Sequence, residues 1–161
     1  MKIIAFDPGY ERLGIAILEK TELGKDVVIF SECFKTSAKD SHPERLGQIA
    51  NKVLDLLKEF SPAQMAIETL FFSKNTKTAM KVAESRGVLM AMCAKEGLPV
   101  NEYSPQAIKV AVTGSGSSDK SQVLKMVSLI TKIDLSNKID DEIDAIAVGL
   151  TCLATLRNIH R

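Results

Sequence analysis

Histidine, cysteine and long apolar runs are all scarce in this 161-residue chain, and each shortage removes a class of function. The two histidines are His42, at the start of a helical pattern, and His160, in the tail. Neither has the setting of a general base. The cysteines, Cys33, Cys93 and Cys152, are odd in number, scattered, and include no C-x-x-C pair. That argues against a disulfide framework and a zinc site, and for a reducing, cytoplasmic setting. Asp7 breaks the N-terminal apolar stretch almost at once, unlike a signal peptide, and the longest apolar helical pattern carries Lys81, Glu84 and Arg86. No segment looks membrane-spanning, and no membrane partner is expected. At 45% apolar content the chain can build a real core. One domain is expected over residues 1–157, with 158–161 a short tail.

A net charge of +1 hides a segregation. Lys74, Lys77, Lys81 and Arg86 face only Glu84 in their stretch, and Lys109, Lys120 and Lys125 face only Asp119. Between Asp134 and Asp144 the balance reverses, with five acids against Lys138. Basic stretches beside an acidic pocket suit a protein that grips phosphates around a metal site. For either basic stretch alone, a solvated helix face is an equal reading.

Four of the acids stand at the edges of apolar segments, where a lone carboxylate is costly unless paired or bound to a cation. Asp7 ends the run Lys2-Ile3-Ile4-Ala5-Phe6 and precedes Pro8-Gly9; Glu68 ends Ala63-Gln64-Met65-Ala66-Ile67. Asp141 and Asp144 open an apolar helix three residues apart, on one face. If these groups converge they form an oxygen-ligand cage for Mg²⁺, and phosphodiester cleavage is the chemistry it suits. Taken singly, Asp7 could merely start a turn and Asp141 merely cap a helix. Asp140 shares the neighbourhood but reads as an N-terminal dipole residue.

The element order is legible. Residues 2–7, about 13–20 and about 26–34 are β-rich and separated by turn sequences, as in an antiparallel meander. Ser41-x-x-Glu44 is a capping box ahead of an apolar helical pattern. A buried strand over 63–67, a helix over 76–95, a strand over 98–103 and a short helix capped by Ser104-Pro105 follow. Residues 113–118 read as a mobile loop before a helix to about 132, and a last helix runs from about 140 to 156. Met80, Met90 and Met92 read as core filler. The pattern predicts an α/β domain with a five-stranded mixed sheet, three of its strands antiparallel, flanked by helices. The fourth strand should return parallel to the first, which would set Asp7 and Glu68 side by side.

Five ordered blocks then carry a resemblance: Phe6-Asp7-Pro8-Gly9; Ala66-Ile67-Glu68-Thr69-Leu70-Phe71-Phe72-Ser73-Lys74-Asn75; Ala83-Glu84-Ser85-Arg86-Gly87-Val88; Gly114 to Val123; and Asp141-Glu142-Ile143-Asp144-Ala145. Together, from residue 1 to about 155, they resemble the RuvC family of Holliday-junction resolvases. The resemblance implies a ribonuclease H-like fold, a homodimer, and a Mg²⁺-dependent endonuclease that nicks two opposed strands of four-way junction DNA symmetrically. It implies that Asp7, Glu68, Asp141 and Asp144 are the catalytic and metal-holding acids. Two Mg²⁺ ions per site are expected, with Mn²⁺ able to substitute. Asp7 would bridge both ions. A branch-migration helicase complex of the RuvA and RuvB type is an expected partner.

In the family the first aromatic after the glutamate stacks on an unpaired base, and Phe71 matches it; Phe72 is its neighbour. Either ring could instead pack inward. Lys74, Asn75, Arg86, Lys109 and Lys120 are the best phosphate-contact candidates. The helix after residue 76 is a candidate dimer contact through Ala79, Val82, Ala83, Arg86, Gly87 and Met90, although a core-facing role fits that stripe equally. The chain departs from the family where Tyr10-Glu11-Arg12 makes the first turn bulky. A related nuclease that processes ribosomal RNA ends shares the opening motif and the acids. An actin-like kinase would need a longer chain, and the intact acids argue against an inert junction-binding protein.

Overall fold

The computed structural model describes residues 1–70 and 76–159, except for the side chains of 76, 77 and 157–159. Five strands form one mixed sheet: β1 (Lys2–Asp7), β2 (Arg12–Lys20), β3 (Asp26–Lys35), β4 (Gln64–Glu68) and β5 (Val100–Tyr103), in the order β3-β2-β1-β4-β5. The first three are an antiparallel meander. β4 lies parallel to β1, with Phe6 beside Ile67, and β5 lies parallel to β4. The parallel crossovers run through helices α1 (His42–Phe60) and α2 (Thr76–Lys95). Helices α3 (Pro105–Thr113), α4 (Lys120–Thr131) and α5 (Asp140–Ile159) complete the chain. Among the described residues no helix is long and apolar enough to cross a membrane.

Strand periodicity divides the core into two layers. Ile4, Phe6, Ile15, Ile17, Met65 and Ile67 face α1 and α2. Ile3, Ala5, Ala16, Leu18 and Ala66 face α3, α4 and α5. The second set is smaller, and α5 uses the space. A side-chain carbon built on Gly149 of α5 would lie 2.3 Å from Leu18 Cδ1 and 3.2 Å from Ala5 Cβ. At the start of the same helix the fit is tighter still. A carbon on Gly14 of β2 would lie 1.9 Å from the Asp141 carbonyl oxygen. Glycine is required there because backbone meets backbone.

Local signals act where the sequence places them. The Ser41 N–H donates to Glu44 Oε2 at 2.7 Å, starting α1. Ser104 Oγ accepts from the Ala107 N–H at 3.1 Å, starting α3. Several expectations need correction. β5 begins at Val100, not 98, because Pro99 has no N–H for the ladder and contributes only its carbonyl, 2.9 Å from the Met65 N–H. Met80 is no core filler: at 63% exposure it points away from the face of Ser85, Leu89 and Cys93 that packs inward, while Met90 and Met92 do lie against the core. The 113–118 loop is internally bonded, with Thr113 Oγ1 and Ser118 Oγ 2.6 Å apart. α5 continues to Ile159, past the helix end expected at about 156, since no glycine or proline stops it.

Replacing Gly14 by alanine is expected to lower unfolding free energy by about 3 kcal/mol, the upper range for overpacking. Gly149→Ala, whose nearest neighbour is the movable end of Leu18, should cost less. Urea denaturation of both variants measures the difference. Equal, small losses would show that α5 has slack over β2.

Candidate active site

Asp7 and Glu68 are the last residues of two neighbouring parallel strands. Alternation along β1 and β4 turns both toward the α5 side, in step with Ala5 and Ala66. Asp141 and Asp144 occupy the first turns of α5, which Gly14, the register partner of Asp7, brings onto the sheet at this edge. Two strand ends and one helix start thus present carboxylates to one place.

The electrostatics report the convergence. Burial pushes the Asp7 carboxyl up to about 7, and the negative charges of Glu68, Asp144 and Asp141 push it the same way, with Lys120 opposing. Burial, then Asp144, raises Glu68 to about 6. Asp144 is raised by burial against the pull of Lys120. Such a group needs positive charge nearby. Arg12 Nε lies 3.7 Å from Asp141 Oδ2. Lys120 Nζ lies 3.1 Å from Asp140 Oδ2 and 3.4 Å from Asp144 Oδ2. With these pairings, no three acidic, histidine or cysteine side chains among the described residues are grouped as a ready metal site. The donor chemistry nevertheless fits a hard divalent cation, since every converging group is a carboxylate and the innermost, Asp7, is held close to its protonation point.

The remaining candidates divide. Lys109 and Lys120 line one cleft of about 260 Å³ together with Glu68, Pro105, Ile108 and Asp144. Arg86 is held within the protein, its guanidinium paired with Glu102 and its Nε 3.3 Å from the Glu68 carbonyl oxygen. Phe71, Phe72, Lys74 and Asn75 lie outside the described residues. His42 pairs with Glu84, and its ring lies 5.2 Å from that of Tyr10, tilted by 52°. The bulky turn is accommodated by folding Tyr10 back. Its ring lies 3.8 Å beneath the Arg45 guanidinium, and its carbonyl accepts from Thr36 Oγ1 at 3.2 Å.

Three features of the site escape a reading of the sequence. Arg12 reaches Asp141, Cys33 Sγ lies 3.9 Å from Asp141 Oδ2, and Asp140 shares Lys120 with Asp144. A usable signal existed only for Gly14, since a glycine inside a strand marks close backbone approach.

The profile of the family described as "Crossover junction endodeoxyribonuclease RuvC" matches residues 3–152. The chain belongs to the RuvC family. It is 44% identical over 155 residues to the crossover junction endodeoxyribonuclease RuvC of Thermosipho melanesiensis, covering 96% of this chain and 97% of that one. It is 37% identical over 149 residues to the same enzyme of Petrotoga mobilis, covering 92% and 91%. Its structure is similar to that of T. thermophilus RuvC in complex with Holliday junction substrate. The TM-score is 0.91 and the identity 31%, over 98% of this chain and 96% of that one. The fold is accordingly ribonuclease H-like, as the RuvC resemblance implies.

The raised Asp7 carboxyl has a signed consequence for stability. Its folded form keeps a proton that the unfolded chain releases near the ordinary value of 3.8. Without metal, its contribution to stability therefore falls as pH rises from about 4 to about 7. Asp7→Asn should melt higher than the parent protein in chelator, with a larger gap at pH 8 than at pH 5. Each kcal/mol relieved is worth about 2–4 °C for a chain of this size. An equal gap at both pH values, or a variant that melts lower at pH 8, would contradict the electrostatic reading.

Proposed function

We propose that this chain resolves Holliday junctions by paired, symmetric nicks at the acid cluster of Asp7, Glu68, Asp141 and Asp144, using Mg²⁺, two ions per site, with Mn²⁺ able to replace it. The endodeoxyribonuclease activity is that of the RuvC family to which the chain belongs. The observation that carries the site assignment is the meeting of the two parallel strand ends with the first turns of α5. The ribosomal RNA alternative is not favoured, because the family match and its relatives are junction endonucleases.

The proposed division of labour follows from position. Asp7 and Glu68, fixed on the sheet, would hold the cation against the scissile phosphate, with Asp141 and Asp144 closing the cage from the helix. Bound Mg²⁺ supplies an activated water and neutralises charge on the leaving 3′-oxygen. Arg12 and Lys120 neutralise the helix carboxylates when they are not so engaged. Lys109 and Lys120 are assigned to phosphates of the strand entering the cleft. Phe71 and Phe72 are assigned to base stacking beside the nick, and Lys74 and Asn75 to the adjoining phosphates. Arg86 is assigned to holding the end of β4 through the Glu68 carbonyl.

A homodimer would space two such sites across a junction. The outward face of α2 supports this reading, with Met80 at 63% exposure and a side-chain carbon on Gly87 meeting nothing within 4 Å. A branch-migration complex of the RuvA and RuvB type is the partner this reading implies. The free thiols of Cys33, Cys93 and Cys152 suit the cytoplasm.

Asp7→Asn and Glu68→Gln should each abolish cleavage of a labelled four-way junction in Mg²⁺ while binding it as well as or better than the parent. Linear duplex, structured RNA and EDTA serve as controls. Loss of junction binding in both variants would sink the site assignment. A second measurement concerns charge. Lys109→Ala should reduce the slope of log affinity against log salt by about one unit, equally for junctions of different sequence. An unchanged slope would move the DNA path away from the Lys109 cleft.

A further inference from the structure

Asp141 and Asp144 share one helix, so the rotation of its first turn about the helix axis decides where both carboxylates point. Successive residues are about 100° apart on an α-helix. Glu142 therefore projects about 100° from Asp141 and about 160° from Asp144, away from the acid cluster. There it is buried, at 8% exposure. Its Oε1 accepts from Ser31 Oγ on β3 at 2.6 Å and from Lys138 Nζ at 2.5 Å. Lys138 also donates to Ser31 Oγ at 2.9 Å, which closes a triangle. One carboxylate thus ties the sheet's edge strand, the segment before α5 and the helix itself. Two residues further along the same face of β3, Cys33 Sγ meets Asp141 Oδ2 at 3.9 Å.

An ion pair withdrawn from water, as this one partly is, adds little net stability, since apolar residues of similar volume do as well or better. What it does impose is a single geometry, because any rotation of the helix would leave a buried charge without its partner. Gly14 sets how deeply α5 sits on the sheet but cannot set its rotation. The Glu142 triangle can.

We infer that Glu142, held by Ser31 and Lys138, is a positioning residue that fixes the rotation of α5 and thereby aims Asp141 and Asp144 at the divalent cation. The inference rests on the reading of the four acids as the cation site. Glu142 itself points away from the cation site, and its effect passes wholly through its neighbours on the helix.

The test is a Mn²⁺ titration of the DNA-free protein followed by electron paramagnetic resonance, on Glu142→Ala, Glu142→Gln, Ser31→Ala and Asp7→Asn. Supporting residues of this kind are worth about 10–100-fold in metal affinity. Glu142→Ala is expected to weaken Mn²⁺ binding at least about tenfold, and Ser31→Ala to weaken it in the same direction. Glu142→Gln, which keeps an acceptor for the Ser31 hydroxyl, should recover part of the loss. Junction cleavage lost by Ser31→Ala at low Mn²⁺ should return at high Mn²⁺, which a general loss of folded protein would not allow. Parent-like Mn²⁺ affinity in both Ser31→Ala and Glu142→Gln, with affinity lost in Asp7→Asn, would overturn the inference and leave the cation site intact. Parent-like affinity in Asp7→Asn as well would overturn the cation site itself.

Discussion

How closely α5 can lie against β1 and β2 governs the rest of this structure. Two of the four acids ride on that helix, and the other two are fixed to the sheet, so their meeting depends on the spacing between the layers. Small residues create it. Ala5, Ala16 and Ala66 line the sheet face, Ala145, Ala147 and Gly149 line the helix, and Gly14 admits the Asp141 carbonyl where a methyl group would collide with it. The opposite face of the sheet carries the larger Phe6, Ile15, Ile17 and Met65, which share a core with residues of α1 and α2. The division of large and small residues between the two faces therefore governs the meeting of the four carboxylates as much as packing density.

That close approach creates an electrostatic problem which the neighbouring elements relieve. Carboxylates from three elements are partly withdrawn from water beside one another; burial and the charges of Glu68, Asp144 and Asp141 oppose ionisation of Asp7, and burial and Asp144 oppose that of Glu68. Arg12 from the first turn and Lys120 from the start of α4 bring compensating charge from opposite sides. The bulk of the turn does not crowd the site. Tyr10 is drawn back under Arg45 toward α1, leaving Arg12 to face Asp141.

Much of this was legible from the residues because it rests on local rules. β-rich runs between turn sequences mark the strands, Ser41-x-x-Glu44 and Ser104-Pro105 mark two helix starts, and the right-handed crossover rule places Glu68 beside Asp7. What stayed hidden depends on partners distant in sequence. Arg86 looked free for phosphate, yet Glu102 and the Glu68 carbonyl come to it only once β5 pairs with β4. Met80 continues the apolar spacing of its helix but falls outside the arc that reaches the sheet. Arg12 and Asp141 are separated by most of the chain, and no periodicity connects them. Asp140 was placed by helix-terminus logic, which does not reveal that Lys120 bridges it to Asp144.

If the four acids hold a divalent cation as proposed, the raised Asp7 carboxyl sets proton and metal in competition there. Near neutrality the carboxyl, poised at about 7, is shared between proton and solvent, and Glu68 behaves similarly about one unit lower. A divalent ion taken up at the proposed cation site would evict those protons, so its uptake would be coupled to their release. Apparent metal affinity at that site would decline as the medium acidifies. In the proposed cation site, acidity would then tune metal occupancy by mass action alone, with no separate sensing group.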